Sequence, residues 1–179
     1  MHLSLNQTSP FAMKPHPFLL LAGAAIALSV PGLASAQRAP YGKPLGLEMA
    51  RKVAAAAEAE AKKVVGPLGV SIAVYDSTCN LVLLDRMDNT SLGTLPVAQD
   101  KASTACNFRL DTKGAMDRLA QGGGNMILLA LRGFTAIEGG VQLISDGQIV
   151  GAIGISGGSS QQDEQIARAG AAALGRQAQ

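Results

Sequence analysis

The run SDGQIVGAIGISGGSSQQDEQIARAG, Ser145 to Gly170, holds a turn, a buried strand, a glycine corner and a capped helix in succession. Asp146-Gly147 suits a two-residue hairpin turn, since that geometry needs positive φ, which Asp tolerates and Gly adopts freely. Gln148 to Ser156 is therefore expected to be a strand. It interleaves Ile and Val with Gly and Ala, so neither face is polar, both faces need cover, and another element must press closely over the small residues. Gly157-Gly158 frees the backbone to turn. Ser159 or Ser160 then caps the next helix by accepting from its first free amides, with Asp163 strengthening the cap.

Upstream, Leu47, Ala50, Val53, Ala54, Ala57, Ala61 and Val64 recur at helical spacing, and Glu58 precedes Lys62 by four residues on the wet face. Gly66-Pro67 stops this helix. Val70 to Tyr75 and Leu81 to Met87 alternate as strands around a turn at Asp76–Asn80 and predict a hairpin. Pro96 fits the first turn of a helix running to about Phe108, on which Ala98, Ala102 and Ala105 form a small-residue stripe suited to lying close on a sheet. Leu110 to Leu119 predicts another short helix, broken by Gly122-Gly123-Gly124, and Val141 to Ser145 pairs with the strand already described. The tight turns argue against a doubly wound parallel sheet. The expected fold class is α+β, a single antiparallel sheet flanked by helices.

At the start of the chain, Met13-Lys14, the apolar run Phe18–Val30 and the small-residue box Ala34-Ser35-Ala36 read as a secretory signal peptide over residues 1–36, with Met13 as an alternative start. Residues 37–44 read as a tether and 45–179 as one domain. The expected location is periplasmic or secreted, with no membrane contact after cleavage. The net charge of +2 and the few aromatics beyond Ala36 (Tyr41, Tyr75, Phe108 and Phe134) offer neither a basic patch nor a stacking platform, so nucleic acid is not expected as a partner. Both cysteines, Cys79 and Cys106, lie in the exported part, where a disulfide between them is one expectation and two free thiols the other. Both histidines, His2 and His16, fall in the leader. That removes any Ser-His or Cys-His nucleophile from the mature domain, and no other catalytic constellation stands out.

Four segments resemble one family in order and spacing: VSIAVYDSTCNLV at 70–82, RMDNTSLG at 86–93, AQDKASTACNF at 98–108 and DGQIVGAIGISGGSSQQDEQIARAG at 146–170. The family is that of the GlcG and HbpS-like proteins, whose domain also ends some corrinoid adenosyltransferases. The resemblance implies a profilin-like or PAS-like fold, a homo-oligomer, and haem or a related tetrapyrrole as ligand, for sequestration, sensing or slow degradation. It also implies, as the other reading, an accessory protein or enzyme of small hydroxy-acid metabolism of the glycolate type that binds a carboxylate, and a third reading is an assembly module without ligand. Cys79 stands where the family's turn usually carries glycine, and Cys106 where it tends to carry a small residue. With no histidine in the mature chain, the iron-ligand candidates are Met87, Lys101, Met126, Tyr75 and a thiolate of Cys79 or Cys106.

Three groups are candidates for a ligand site. Arg86-Met87-Asp88 ends a strand and enters a loop, where site residues gather; its plainer reading is a strand-end salt bridge with Met as filler. Lys101 offers a cation for a carboxylate or a propionate, or else is an exposed lysine on a solvated face. Gly157, Gly158 and Ser159 can present backbone amides to an anion, or simply make the turn. Gly151, Gly154 and Gly157 have the wrong spacing for a dinucleotide fingerprint, and no phosphate-loop lysine follows.

Overall fold

The computed structural model describes residues 38–175, so the expected signal peptide lies outside the described residues. Helix α1 (Leu47–Val64) and a 3-10 turn (Gly66–Leu68) lead into the hairpin β1 (Ser71–Asp76) and β2 (Leu81–Arg86). Helices α2 (Thr94–Asn107) and α3 (Thr112–Ala120) and a 3-10 segment (Gly123–Ala130) precede a second hairpin, β3 (Gly140–Ser145) and β4 (Gln148–Ser156), and α4 (Ser160–Ala172) closes the domain. The sheet order is β2-β1-β4-β3 and every pairing is antiparallel. The α+β expectation therefore holds, and the Asp146-Gly147 turn takes φ of 49° and 72°, as its residues predict.

Alternation along the central strands sends two different surfaces to the two sides. Ile72 and Val74 of β1 and Ile153 and Ile155 of β4 pack with Val53, Ala57, Ile166 and Ala167 of α1 and α4. The opposite face carries Ala73, against Ala98 and Ala102 of α2. Gly154 explains why only a small-residue helix fits here. A Cβ built on it would run into Ala98 O and stand 2.6 Å from Ala102 N, so the α2 backbone rests directly on the β4 backbone. The stripe of alanines and the glycine of β4 are the two halves of one contact.

The two sheet edges differ. Along β3, Thr112 Oγ1 accepts from Gly140 N (2.8 Å) and Asp111 Oδ1 from Gln142 N (2.9 Å), so the start of α3 satisfies part of that edge. Along β2, α2 covers too little to bury Leu81 and Leu84, which stay 44% and 37% exposed. Met126, Ile127 and Leu129 of the 3-10 segment are also exposed.

Two expectations are corrected here. Residues 37–44 were expected to be a tether, but from Arg38 onward the chain is a docked strap. Gly42 N donates to Ile149 O (2.8 Å), Ile149 N to Pro40 O (2.8 Å) and Leu45 N to Val150 O (3.0 Å). β1 pairs no further than Asp76 opposite Gly151, which leaves the first residues of β4 with open backbone groups that the strap fills. Asp163 was expected to strengthen the α4 cap. Instead Ser159 is the N-cap and forms a capping box with Gln162, while Asp163 turns inward.

Gly154→Val is expected to destabilise the domain by roughly 3 kcal/mol or more, because its side chain meets helix backbone rather than a flexible side chain. Urea unfolding of the variant beside Gly147→Ala, whose Cβ meets nothing within 4 Å but whose φ is strained, separates clash from turn strain.

Candidate functional site

The predicted site residues fall into two separate places. Lys101, Gly157 and Gly158 belong to a knot behind the glycine corner, with Ser159 exposed at its outer edge as the cap of α4. Lys101 is 1% exposed, and its Nζ donates to Asp163 Oδ2 (2.7 Å) and to Ile155 O (2.8 Å). The Gly158 N–H donates to Asp163 Oδ1 (2.9 Å), and the Ser159 N–H donates to Gln162 Oε1 (2.9 Å). A cation and corner amides thus do hold a carboxylate, as expected for a small-acid site, but the carboxylate is the protein's own. Neither is Lys101 on a solvated face; it crosses from α2 on one side of the sheet to α4 on the other. It passes where β3 has not yet begun, and there it satisfies a β4 carbonyl. Gly139 leaves the room for it, since a Cβ there would stand 2.8 Å from Asp163 Cβ and 3.1 Å from Lys101 Nζ.

Burial pushes the Asp163 carboxyl above the ordinary carboxylate range, against Lys101 and the amides of Gly158 and Gly157, which favour its charged form. The knot continues outward: Glu164 Oε2 accepts from Gly139 N (3.0 Å), and Glu164 Oε1 pairs with Arg168 (2.6 Å), which also meets Asp111 (3.3 Å).

The second place is open. Arg86, Met87 and Asp88 line a groove of about 460 Å³ between β2 and the C-terminal half of α1, with Glu58, Lys62 and Pro67 opposite. Met87 also lines the neighbouring groove with Ile72 and Asp85 and packs against the main core, so it is filler on one side and site wall on the other. Among the described residues Arg86 and Asp88 form no ion pair, whereas Lys62 pairs with Glu58 at 2.7 Å on the exposed helix face. The sequence places Lys62 and Glu58 only as a wet-face pair; their part in the groove depends on how α1 crosses the hairpin.

A further groove of about 400 Å³ has the strap as one wall, through Lys43, Pro44 and Leu45, and Met49, Val150 and Leu174 as the apolar remainder. Sequence reading misses it because it treats the strap as a tether.

The iron-ligand candidates thin out. Cys79 and Cys106 are joined as a disulfide, with Cα atoms 5.6 Å apart, so neither is a thiolate. Lys101 is engaged by Asp163. Burial, then the nearby Asp100 charge, raises the Tyr75 phenol above its usual pKa and disfavours a phenolate. Met126 lies on the exposed 3-10 segment, 50% exposed. Met87 alone combines a donor with a groove and flanking cations. Among the described residues there is no group of three or more His, Cys, Asp or Glu placed to hold a metal ion.

The family model for the haem degrading protein HbpS-like family matches residues 45–172. The chain belongs to this family. It is similar to protein GlcG of Escherichia coli (strain K12), 39% identical over 112 residues that make up 63% of this chain and 81% of the relative. Its fold matches the crystal structure of HbpS with a TM-score of 0.68 and 36% identity, covering 75% of this chain and 93% of that one. It also matches a crystal structure of a PduOC:haem complex, with a TM-score of 0.66, 26% identity, and coverage of 73% of this chain and 95% of that one.

Lys101→Met leaves the Asp163 carboxylate buried without its partner and is expected to cost about 3–5 kcal/mol at neutral pH, with the double variant Lys101→Met/Asp163→Leu recovering part of it. The pH dependence carries a definite sign. With its folded pKa above the unfolded value, Asp163 favours the wild type over Asp163→Asn most strongly in acid, and that contribution is lost as pH rises through the folded pKa. Paired urea titrations of the two proteins from about pH 3 to pH 7 read the slope.

Proposed function

We propose that this protein is an exported, self-associating haem-binding protein that sequesters, senses or slowly degrades haem. The observation that carries the reading is the match over most of the domain to a haem complex, joined to a groove whose donor set suits a tetrapyrrole. Met87 would hold the iron through its thioether, a known haem ligand type. Lys62 and Arg86 would face the propionates, and Glu58, Asp85 and Asp88 would restrict them to the cationic side of the groove. Haem itself supplies the iron and any redox chemistry. The chain orients and shields it.

Export is supported by the signal-like leader and by the Cys79–Cys106 disulfide, since such bonds persist in oxidising compartments. Self-association is supported by two apolar exposures: Leu81, Leu84 and Leu92 beside the hairpin, and Met126, Ile127 and Leu129 on the 3-10 segment. The small-acid reading loses its proposed holder, because Asp163 fills it.

Haemin titration of the mature protein is expected to give a saturable Soret shift at roughly micromolar concentration. Met87→Ala is expected to change the Soret maximum and to weaken binding about tenfold or more, and Lys62→Ala with Arg86→Ala to weaken it in a salt-dependent way. Absence of a saturable shift would sink the haem reading, and an unchanged spectrum in Met87→Ala would remove Met87 as ligand. Sedimentation analysis checks self-association, and a monomer at all concentrations rejects it.

A further inference from the structure

Two anchors hold the strap, and one covalent bond joins the anchors. In the β1–β2 turn, Ser77 Oγ donates to Gly42 O (2.8 Å). At the end of α2, the Tyr41 hydroxyl donates to Cys106 O (2.7 Å) and the Arg38 guanidinium to Phe108 O (3.1 Å). Arg109 completes this anchor by donating to Ala39 O (3.4 Å) and standing 5.6 Å from the Tyr41 ring centre. Cys79, two residues after Ser77, is disulfide-bonded to Cys106 itself. The bond therefore fixes the spacing between the turn and the helix end that the strap bridges.

We propose that the Cys79–Cys106 disulfide is a reducible clamp on this strap, so that a dithiol reductant frees the strap and opens the groove it walls. Cys106 is fully buried and Cys79 partly exposed, so the sulfur open to attack is that of Cys79. A reductant thiolate forms a mixed disulfide there, the protein S–S bond breaks, and Cys106 leaves as a thiolate that takes up a proton. The second reductant thiol then displaces Cys79. Two electrons and two protons pass to the protein, and the dithiol ends as a disulfide. Cys106 Sγ lies 3.3 Å from Asp76 O, so the released thiol has an acceptor already in place.

The strap responds selectively because the hairpin has its own supports. Asp76 Oδ1 accepts from Thr78 N (2.8 Å) and Asn80 N (3.2 Å), and Asp76 N donates to Asn80 O (3.0 Å), none of which needs the cross-link. Cys79 takes φ 59° as part of this turn and donates its N–H to Asp76 O (3.0 Å), so the turn's conformation is set by the hairpin and persists when the cross-link is broken. What is lost is the fixed gap between Ser77 and the α2 carbonyls. The strap, paired to β4 on one side only, is then held by three backbone bonds and by side-chain anchors whose spacing is no longer fixed.

Hydrogen exchange of the mature protein tests this, comparing the oxidised form with the reduced form after mass spectrometry shows two free thiols. Exchange at the Gly42 and Leu45 amides is expected to rise about tenfold or more, while Val74 and Ile153 in the core stay unchanged. Cys79→Ser is expected to reproduce the effect without reductant and decides the matter where the native cystine resists reduction. Tyr41→Phe, with the disulfide intact, is expected to raise strap exchange as well. Unchanged exchange at Gly42 and Leu45 in both the reduced protein and Cys79→Ser overturns the clamp, and so does equal acceleration at Val74 and Ile153, which reports general loosening instead.

Discussion

A lysine ammonium buried between two helical layers sets the terms for the rest of this domain. Lys101 starts on α2, on the face of the sheet that carries alanines and glycines, and ends at Asp163 on α4, on the face that carries isoleucines and valines. Such a pair contributes little net stability after desolvation, yet removal of either partner strands a charge. It therefore acts chiefly on geometry. α2 can sit at only one height along β4, because its lysine must reach both the Ile155 carbonyl and the Asp163 carboxylate. The alanines then meet Gly154, and Gly139 is required where the lysine passes. The ionic pair and the small-residue contact select the same register.

That arrangement also decides where open grooves remain. The glycine corner and the lysine form an anion site in chemical terms, and an internal carboxylate fills it. What is left open lies at the perimeter, where α1 crosses the edge hairpin and where the strap closes the start of β4. The first of these brings the Met87 thioether together with Lys62 and Arg86, the combination on which the haem proposal rests. The second is walled by a segment whose anchors are joined by a disulfide. The two grooves thus lie toward opposite ends of α1, with Met49 lining one and Glu58 and Lys62 the other.

Much of this was legible from residues alone. Asp146-Gly147 specified its hairpin, the alanine stripe and Gly154 implied close packing, and Pro96 and Gly66-Pro67 marked helix ends, because each is a local constraint on φ, volume or hydrogen bonding. Arg86, Met87 and Asp88 were legible as a strand end facing a loop. Lys62, Glu58 and Met49 were not legible as groove walls, since one helix face looks the same whether it meets solvent or a cleft. Asp163 was misread as a cap for a related reason. Near a helix start, an acidic residue satisfies the same sequence pattern whether it turns back to the free amides or inward to a distant lysine.

By itself, then, the sequence determined the order of the main helices and hairpins, the antiparallel pairing, the cystine candidates and the absence of histidine beyond His16. Periodicity, turn residues and composition act over a few neighbouring positions. Only the tertiary structure decided that Lys101 and Asp163, 62 positions apart, form one buried ion pair, that Cys79 meets Cys106, and that Arg38 to Leu45 is a strap rather than a tether. Those outcomes depend on which open backbone groups and buried charges the packed sheet leaves to be satisfied, a quantity that exists only once the layers have come together.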